Sequence, residues 1–281
     1  MIVVIGASGN VGRPLVAGLA AQGRKTTAVT RGRLPYALPE GARHIRADLA
    51  APESLRPALE GAEALFVLVA GALLTGGTPA EDLLGMAEAA GVRRVVLLSS
   101  QVTGTRPEVA SHARLREFEA AVRAWGGEWT ILRPAGFASN AYAWAETVRA
   151  DRTVIAPFGD VALPVVDPVD IAEVASVVLR EDGHGGRTYE LTGPTAISPC
   201  RQAEVLGEAL GAPLRFIELT REQARVRMAQ FMPEAVVEGT LDVLGEPLPA
   251  ERRVSPDVRS LLGRPATTFD DWAARNVKIF D

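Results

Sequence analysis

The stretch "MIVVIGASGNVGRPL", residues 1–15, holds a short apolar run, three glycines at three-residue intervals, and then apolar residues at helical spacing. Ile2–Ile5 reads as a strand and Val11–Gln22 as the helix that follows it. Glycine at such a turn serves two purposes. It accepts backbone angles closed to other residues, and it lets the backbone approach a ligand with no Cβ in the way. The free N–H groups and positive end of the next helix then suit a pyrophosphate. The last glycine lets helix and strand pack closely. The spacing, Gly6-x-x-Gly9-x-x-Gly12, departs from Gly-x-Gly-x-x-Gly, yet the strand before it and the helix after it supply the context that motif requires. A tight turn without a ligand is the alternative. The expectation is a dinucleotide cradle.

Outward from this turn, β-rich runs alternate with Ala/Leu-rich helical stretches. Strands are expected at Ile2–Ile5, Thr26–Thr30, Arg43–Arg46, Ala64–Val69, Arg94–Leu98 and Trp129–Leu132. Helices are expected at Val11–Gln22, Pro52–Leu59, Pro79–Ala90 and Ser111–Trp125. Wholly apolar strands such as "ALFVLV" and "RVVLL" imply burial on both faces, as in parallel sheets flanked by helices. The pattern predicts an α/β fold: a Rossmann doubly wound parallel sheet with helices on both faces. After Pro134 it loosens. Leu163–Val166, Thr188–Leu191 and Leu214–Leu219 are further strand candidates, and Asp167, Ser198 and Thr267 or Thr268 are expected helix caps. Residues 1–281 read as one unit. Residues 1–134 form mainly the dinucleotide-binding core, and 135–281 are mixed, adding the last core elements and a small α/β substrate lobe over the carboxyl edge of the sheet.

The end of the second strand, "TTAVTRGR", bears on cofactor choice. An acid about 20 residues beyond the glycine loop would hold the ribose hydroxyls of NAD. That place holds Arg31, with Arg33 close by. Guanidinium forms charge-assisted hydrogen bonds with a 2′-phosphate, so NADPH is expected over NADH. Asp48 and Leu49, ending the third strand, are placed to meet the adenine. Val69, Ala70 and Gly71, after the fourth, are placed to line the central crevice. Each has a capping or turn reading as well.

Composition narrows the partners. The chain is 47% hydrophobic and 23% charged with a net charge of −4, which gives no basic footprint for nucleic acid. Its apolar runs are too short for a membrane span. No basic segment and cleavage site precede the first strand, and the single cysteine, Cys200, reads as a space-filling residue. A cytoplasmic location follows as the expectation. Three scattered histidines make no metal-ligand motif, so no metal is expected.

The segments "VVIGASGNVG", "RADL", "VVLLSS", "HARLREFEAAVRAWGGEWTILRPAGFASN", "APFGD", "PVVDPVDIAEVA" and "YELTGP" together resemble the NmrA-like group of atypical short-chain dehydrogenases. That group includes NAD(P)H-binding reductases and redox-sensing regulators. The resemblance implies a Rossmann domain with a small C-terminal substrate lobe. It matches Gly6, Ser8, Gly9, Asn10, Val11 and Gly12 to the phosphate loop and Arg31 to the 2′-phosphate contact. It also matches Pro134 to Phe137 to the segment bordering the nicotinamide, and Asn140, Tyr142 and Trp144 to the substrate-facing wall.

Ordinary short-chain dehydrogenases use Tyr-x-x-x-Lys to pass a proton to the substrate. This sequence lacks the pair. His112 and Arg116, four apart on the matching helix, are a candidate replacement. The other reading is a partly exposed histidine near a helix start. Tyr142 is a second proton-donor candidate. Ser99 ends the fifth strand, where hydrogen bonding to cofactor or local backbone is expected, and Asp167 with Asp170 reads as a cap and first turn. Phe137, Tyr142, Trp144 and Phe158, with Asn140, would form an aromatic wall for a flat conjugated acceptor. Together these features predict an NADPH-dependent reductase of a small quinone, enone or imine, acting as monomer or homodimer. The alternatives are a non-catalytic NADP(H)-binding sensor and a non-redox isomerase or cyclase.

Overall fold

Continuous apolar runs become the central strands of one large parallel sheet. The computed structural model describes residues 1–74 and 76–281. Its strands are β1 (Ile2–Ile5), β2 (Thr26–Thr30), β3 (Ala42–Arg46), β4 (Ala64–Leu68), β5 (Arg94–Leu98), β6 (Glu128–Pro134), β7 (Thr153–Pro157), β8 (Arg187–Leu191) and β9 (Arg215–Leu219). Seven of them pair in the order β3-β2-β1-β4-β5-β6-β8, every neighbour parallel. Strand order reverses between β1 and β4, and ligands of such sheets bind outside the carboxyl ends of the strands at that switch point.

Alternate residues of each strand serve opposite faces. Val3, Ile5, Leu65, Val67, Val95 and Leu97 pack under the helices Ala80–Ala89 and Ala113–Ala124. Ile2, Val4, Phe66, Val96 and Leu98 pack under Gly12–Ala21 and Pro168–Arg180. Burial on both sides is why these strands read as unbroken apolar runs.

β7 and β9 form a separate two-stranded parallel sheet. Around it Trp272, Phe280, Leu206, Val148 and Val154 make another core, closed by the helices Pro199–Leu210 and Phe269–Asn276. A smaller cluster joins Ala224, Val237 and Leu241 to Phe158, Met228 and Met232.

Two local expectations are corrected and one strand is added. Leu163–Val166 is not a strand: Leu163 bridges Ile197 and Val166 bridges Phe137, each once. Pro164 has no N–H to donate and breaks the ladder. β7 was not among the expected strands, whereas its partner β9 was expected as Leu214–Leu219. Pro52–Leu59 divides into a 3₁₀ turn, Pro52–Leu55, and a helical turn, Arg56–Leu59, where Pro57 cannot donate to a continuous helix. The caps behave as their residue types require. Asp167, Ser198 and Thr268 accept from Val169, Arg201 and Asp271 amides respectively. Among the described residues no helix is long and apolar enough to cross a membrane.

Candidate functional site at the glycine loop

The three glycines of the first turn have different physical reasons. Gly6 adopts φ +79°, a conformation that disfavours any side chain, and its N–H and that of Ala7 both donate to Val29 O at 3.1 and 3.2 Å. Gly12 sits so close to the turn that a Cβ there would lie 2.2 Å from Gly6 O. Gly9 donates to Gly6 O at 3.0 Å, and a Cβ on it would make an ordinary 3.4 Å contact. The amides of Ser8, Asn10, Val11 and Gly12 donate to no backbone carbonyl among the described residues. The helix Gly12–Ala21 has no acidic residue in its first turn and no side-chain cap. Its positive end and a run of free N–H groups therefore face the carboxyl edge of the sheet, the electrostatics a pyrophosphate needs. A bound dinucleotide fits this cradle.

Beside it, Arg31, Gly32 and Arg33 follow the end of β2, all exposed. Thr30 Oγ1 donates to Gly32 O at 2.6 Å and lies 2.8 Å from His44 Nε2, which folds the arginine turn back on its strand. None of the ion pairs among the described residues uses Arg13, Arg31 or Arg33. Asp48 caps its own turn, its Oδ1 accepting from Ala50 N at 3.0 Å. Leu49 and Val69 lie in the core, while Ala70 and Gly71 are exposed at the end of β4.

The segment after β6 joins this site. Ala138 N donates to Val166 O and Val166 N to Gly136 O, which holds Pro134 to Phe137 along the sheet edge. Phe137 packs on the cluster containing Ala7 and Val11. Asn10 Nδ2 donates to Ser139 Oγ at 3.1 Å, a contact across 129 positions of sequence. Asn140 next to it is exposed.

Several candidates lie elsewhere. Ser99 is turned inward: its hydroxyl donates to Glu119 Oε1 at 2.6 Å, correcting its assignment to the cofactor. Glu119, 2% exposed, also accepts from Thr103 at 2.7 Å, from Arg133 Nε at 2.9 Å and Nη2 at 2.6 Å, and from Arg123 at 3.0 Å. Although burial opposes its charge, the hydrogen bonds from Arg133, Ser99 and Thr103 hold its pKa at about 2. Tyr142 has a partner within the chain. Its hydroxyl donates to Asn276 Oδ1 at 2.7 Å, its ring lies 5.3 Å from that of Trp272, and burial raises its pKa. Trp144 packs in the same cluster, and Phe158 packs against the helix Glu234–Gly245, where a Cβ on Gly245 would strike its ring. Tyr142, Trp144 and Phe158 are each half-buried, one side packed on these clusters.

His112 stands at the start of the helix Ala113–Ala124, its Nδ1 3.0 Å from Ser111 Oγ. Burial, aided by Arg116, lowers its pKa to about 4. Arg116 donates to Val109 O at 2.8 Å, and Ser111 fits under Gly239 of the helix Glu234–Gly245. Asp167 and Asp170 are structural. Asp167 pairs with Arg275, and Asp170, fully buried, accepts from Arg264, Thr267 N and Thr267 Oγ1.

Arg13 and Tyr36 escaped the sequence reading. Tyr36 donates to Ala7 O at 2.6 Å, and the Arg13 guanidinium lies 4.7 Å from its ring centroid. Arg13 follows Gly12 directly and could have been noticed there; the position of Tyr36 follows only from the folded loop. A concavity of about 810 Å³ lies at the opposite edge of the sheet, lined by Arg24, Arg93, Arg94 and Arg180 among others. It is open and polar, and it lies at the amino ends of the strands, away from the free loop amides.

Comparison with known proteins agrees with this geometry. A family model described as NAD(P)H-binding matches residues 6–181. The (4-alkanoyl-5-oxo-2,5-dihydrofuran-3-yl)methyl phosphate reductase of Streptomyces griseus is 35% identical over the whole chain and 99% of its own length. The NAD(P)H azoreductase of Xenophilus azovorans is 28% identical, covering 100% of this chain and 99% of its own. Among solved structures, the NADPH complex of an NADPH-dependent quinone oxidoreductase from Escherichia coli superposes with a TM-score of 0.80 at 23% identity, over 98% of this chain and 99% of that one. That likeness concerns the fold.

Proposed function

The chain belongs to the NAD(P)H-binding family, and from that premise we propose that it is an oxidoreductase using NADPH to reduce a small conjugated acceptor of the quinone, enone or imine class. The observation that carries the cofactor half is the open helix start beside arginines that, among the described residues, have no carboxylate partner. The Streptomyces griseus relative, named for an unsaturated oxo-furan substrate, supports an enone-type acceptor.

The loop amides of Ser8, Asn10, Val11 and Gly12 would hold the pyrophosphate, and Arg31 with Arg33 the 2′-phosphate. Pro134 to Phe137 would border the nicotinamide, Phe137 excluding water from that edge, with Ala70 and Gly71 opposite. When bound, NADPH supplies a hydride. Positioning the acceptor beside it supplies much of the rate, so no side-chain acid is required. His112, with its pKa at about 4, is an uncharged hydrogen-bonding group at neutral pH rather than an imidazolium donor. A conjugated acceptor then takes its proton from water.

The test is fluorescence titration with NADPH and NADH, followed by nicotinamide absorbance with a panel of quinones, enones and imines. Tight NADPH binding that weakens sharply in Arg31→Ala, with NADH little changed, and oxidation by one acceptor class are expected. Binding of neither nucleotide refutes the cofactor assignment. Tight binding with no oxidation by any acceptor favours the sensor.

A further inference from the structure

We propose that Arg13, presented on the ring of Tyr36, is a second guanidinium of the 2′-phosphate site and sets the preference for NADP(H) together with Arg31. The inference rests on the cofactor reading above and adds two residues to it.

Arg13 occupies the first turn of the helix Gly12–Ala21, where a cation faces the positive end of the helix. That placement is unfavourable unless an anion sits nearby. Arg13 is exposed, and no carboxylate pairs with it among the described residues. The side chain is nevertheless held in place, with its Cζ 4.7 Å from the centroid of Tyr36. Cation–π contact of this kind restrains a side chain that otherwise samples many rotamers.

Tyr36 has a second contact. Its hydroxyl donates to Ala7 O at 2.6 Å, inside the phosphate loop itself. The loop bearing Arg31 and Arg33 is therefore fixed at both ends, by Thr30 Oγ1 on Gly32 O and by Tyr36 on Ala7 O. Burial raises the Tyr36 pKa, so the hydroxyl keeps its proton and the bond persists across the neutral range. The result is a preformed basic rim around the place where the adenosine ribose follows the pyrophosphate. Three guanidinium groups, from Arg13, Arg31 and Arg33, stand on that rim. Such planar forks suit a phosphate dianion. Tyr36 acts through Arg13 and the loop, which makes it a positioning residue.

The experiment uses two probes without a nicotinamide: 2′,5′-ADP and 5′-ADP, titrated calorimetrically into the wild-type protein and its variants. Wild type is expected to prefer 2′,5′-ADP. Arg13→Ala should weaken 2′,5′-ADP by about tenfold to a hundredfold, the range for a hydrogen bond to a charged group, and change 5′-ADP by less than about threefold. Arg13→Lys should recover part of the loss. Tyr36→Phe, which keeps the ring and loses the tether, should fall between wild type and Tyr36→Leu. Arg24→Ala, removing one positive charge at the opposite edge of the sheet, controls for net charge and should leave the ratio unchanged.

Equal weakening of both probes in Arg13→Ala would mean a structural role and overturn the inference, as would no change in either. Loss of selectivity in Arg31→Ala but not in Arg13→Ala overturns this inference and leaves the cofactor reading standing. A wild-type protein that does not distinguish the probes overturns both.

Discussion

Replacing Glu119 by glutamine should destabilise the protein by about 3–5 kcal/mol, the scale for breaking a buried ion pair from one side. The carboxylate is 2% exposed and accepts five hydrogen bonds, three on Oε1 from Ser99, Thr103 and Arg133 and two on Oε2 from Arg133 and Arg123. A glutamine can serve one of those oxygens. Its NH₂ then meets donors on the other side, and Arg133 loses its countercharge. Arg133 has little room to turn away, because a Cβ on Gly104 would already lie 2.3 Å from its Nη1. With an unfolding entropy of about 2.1 cal/mol/K per residue, the loss lowers Tm by roughly 5–8 °C. The acid limb supplies a second estimate. Glu119 has a folded pKa of about 2 against a free value of 4.5, so its contribution is complete above pH 4.5 and disappears as pH falls toward 2. That shift corresponds to about 2–3 kcal/mol after allowance for screening. Urea melts at a series of pH values would read both effects, with the Glu119→Gln profile flatter than wild type over that window. A change under about 1 kcal/mol at neutral pH, or an unchanged acid slope, would refute the reasoning. Replacing Glu119 and Arg133 together by methionine should recover part of the loss, since Arg133 then leaves no buried charge unpaired, while Arg123, 40% exposed, loses its partner where water can solvate it.

Gly12→Ala should cost about 1–3 kcal/mol and weaken NADPH about tenfold or more, because all three atoms in conflict, Gly6 O, Gly6 C and Ala7 Cα, belong to backbone and the loop must move; parallel melts and titrations check this, and normal affinity sinks it. Tyr142→Phe should lose about 1 kcal/mol in a urea melt, from the bond to Asn276, and keep kcat within about twofold. A hundredfold fall in kcat would restore Tyr142 as a proton donor. The imidazole of His112 should titrate by NMR near 4, leaving kcat/KM without an inflection from this residue between about pH 5 and 8. Because its folded pKa lies below the free value of 6.5, His112 lowers stability as pH falls from 6.5 to 4, and His112→Gln should show a shallower loss there.

The glycine loop was legible because its signals are local. A strand, three glycines and a helix follow one another within 21 residues, and backbone geometry there depends on the residues themselves. Apolar runs likewise placed the parallel sheet, since burial on both faces leaves a composition that can be read without knowing the neighbours. The caps at Asp167, Ser198 and Thr268 needed only side chains that reach their own backbone. Even Asp167 and Asp170, which resemble a catalytic pair, were legible as a cap and first turn.

Aromatic residues were legible as aromatic and no further. Nothing in "SNAYAW" tells which partners Tyr142 and Trp144 take; the helix Phe269–Asn276, more than 120 positions later, supplies Asn276 and Trp272 to Tyr142. Ser99 stands at the strand end where a bond to cofactor or local backbone was expected, yet Glu119 from the helix Ala113–Ala124 takes its hydroxyl. Tyr36 and Ala7 are 29 positions apart, and Asn10 and Ser139 are 129 apart. The sequence by itself determined the sheet, its first turn and the basic strand end, because short-range sterics and burial periodicity are written into neighbouring residues. Only the tertiary structure decided which polar and aromatic side chains remain free for a ligand, because a hydrogen-bonding group has few partners and the fold chooses them across the whole chain.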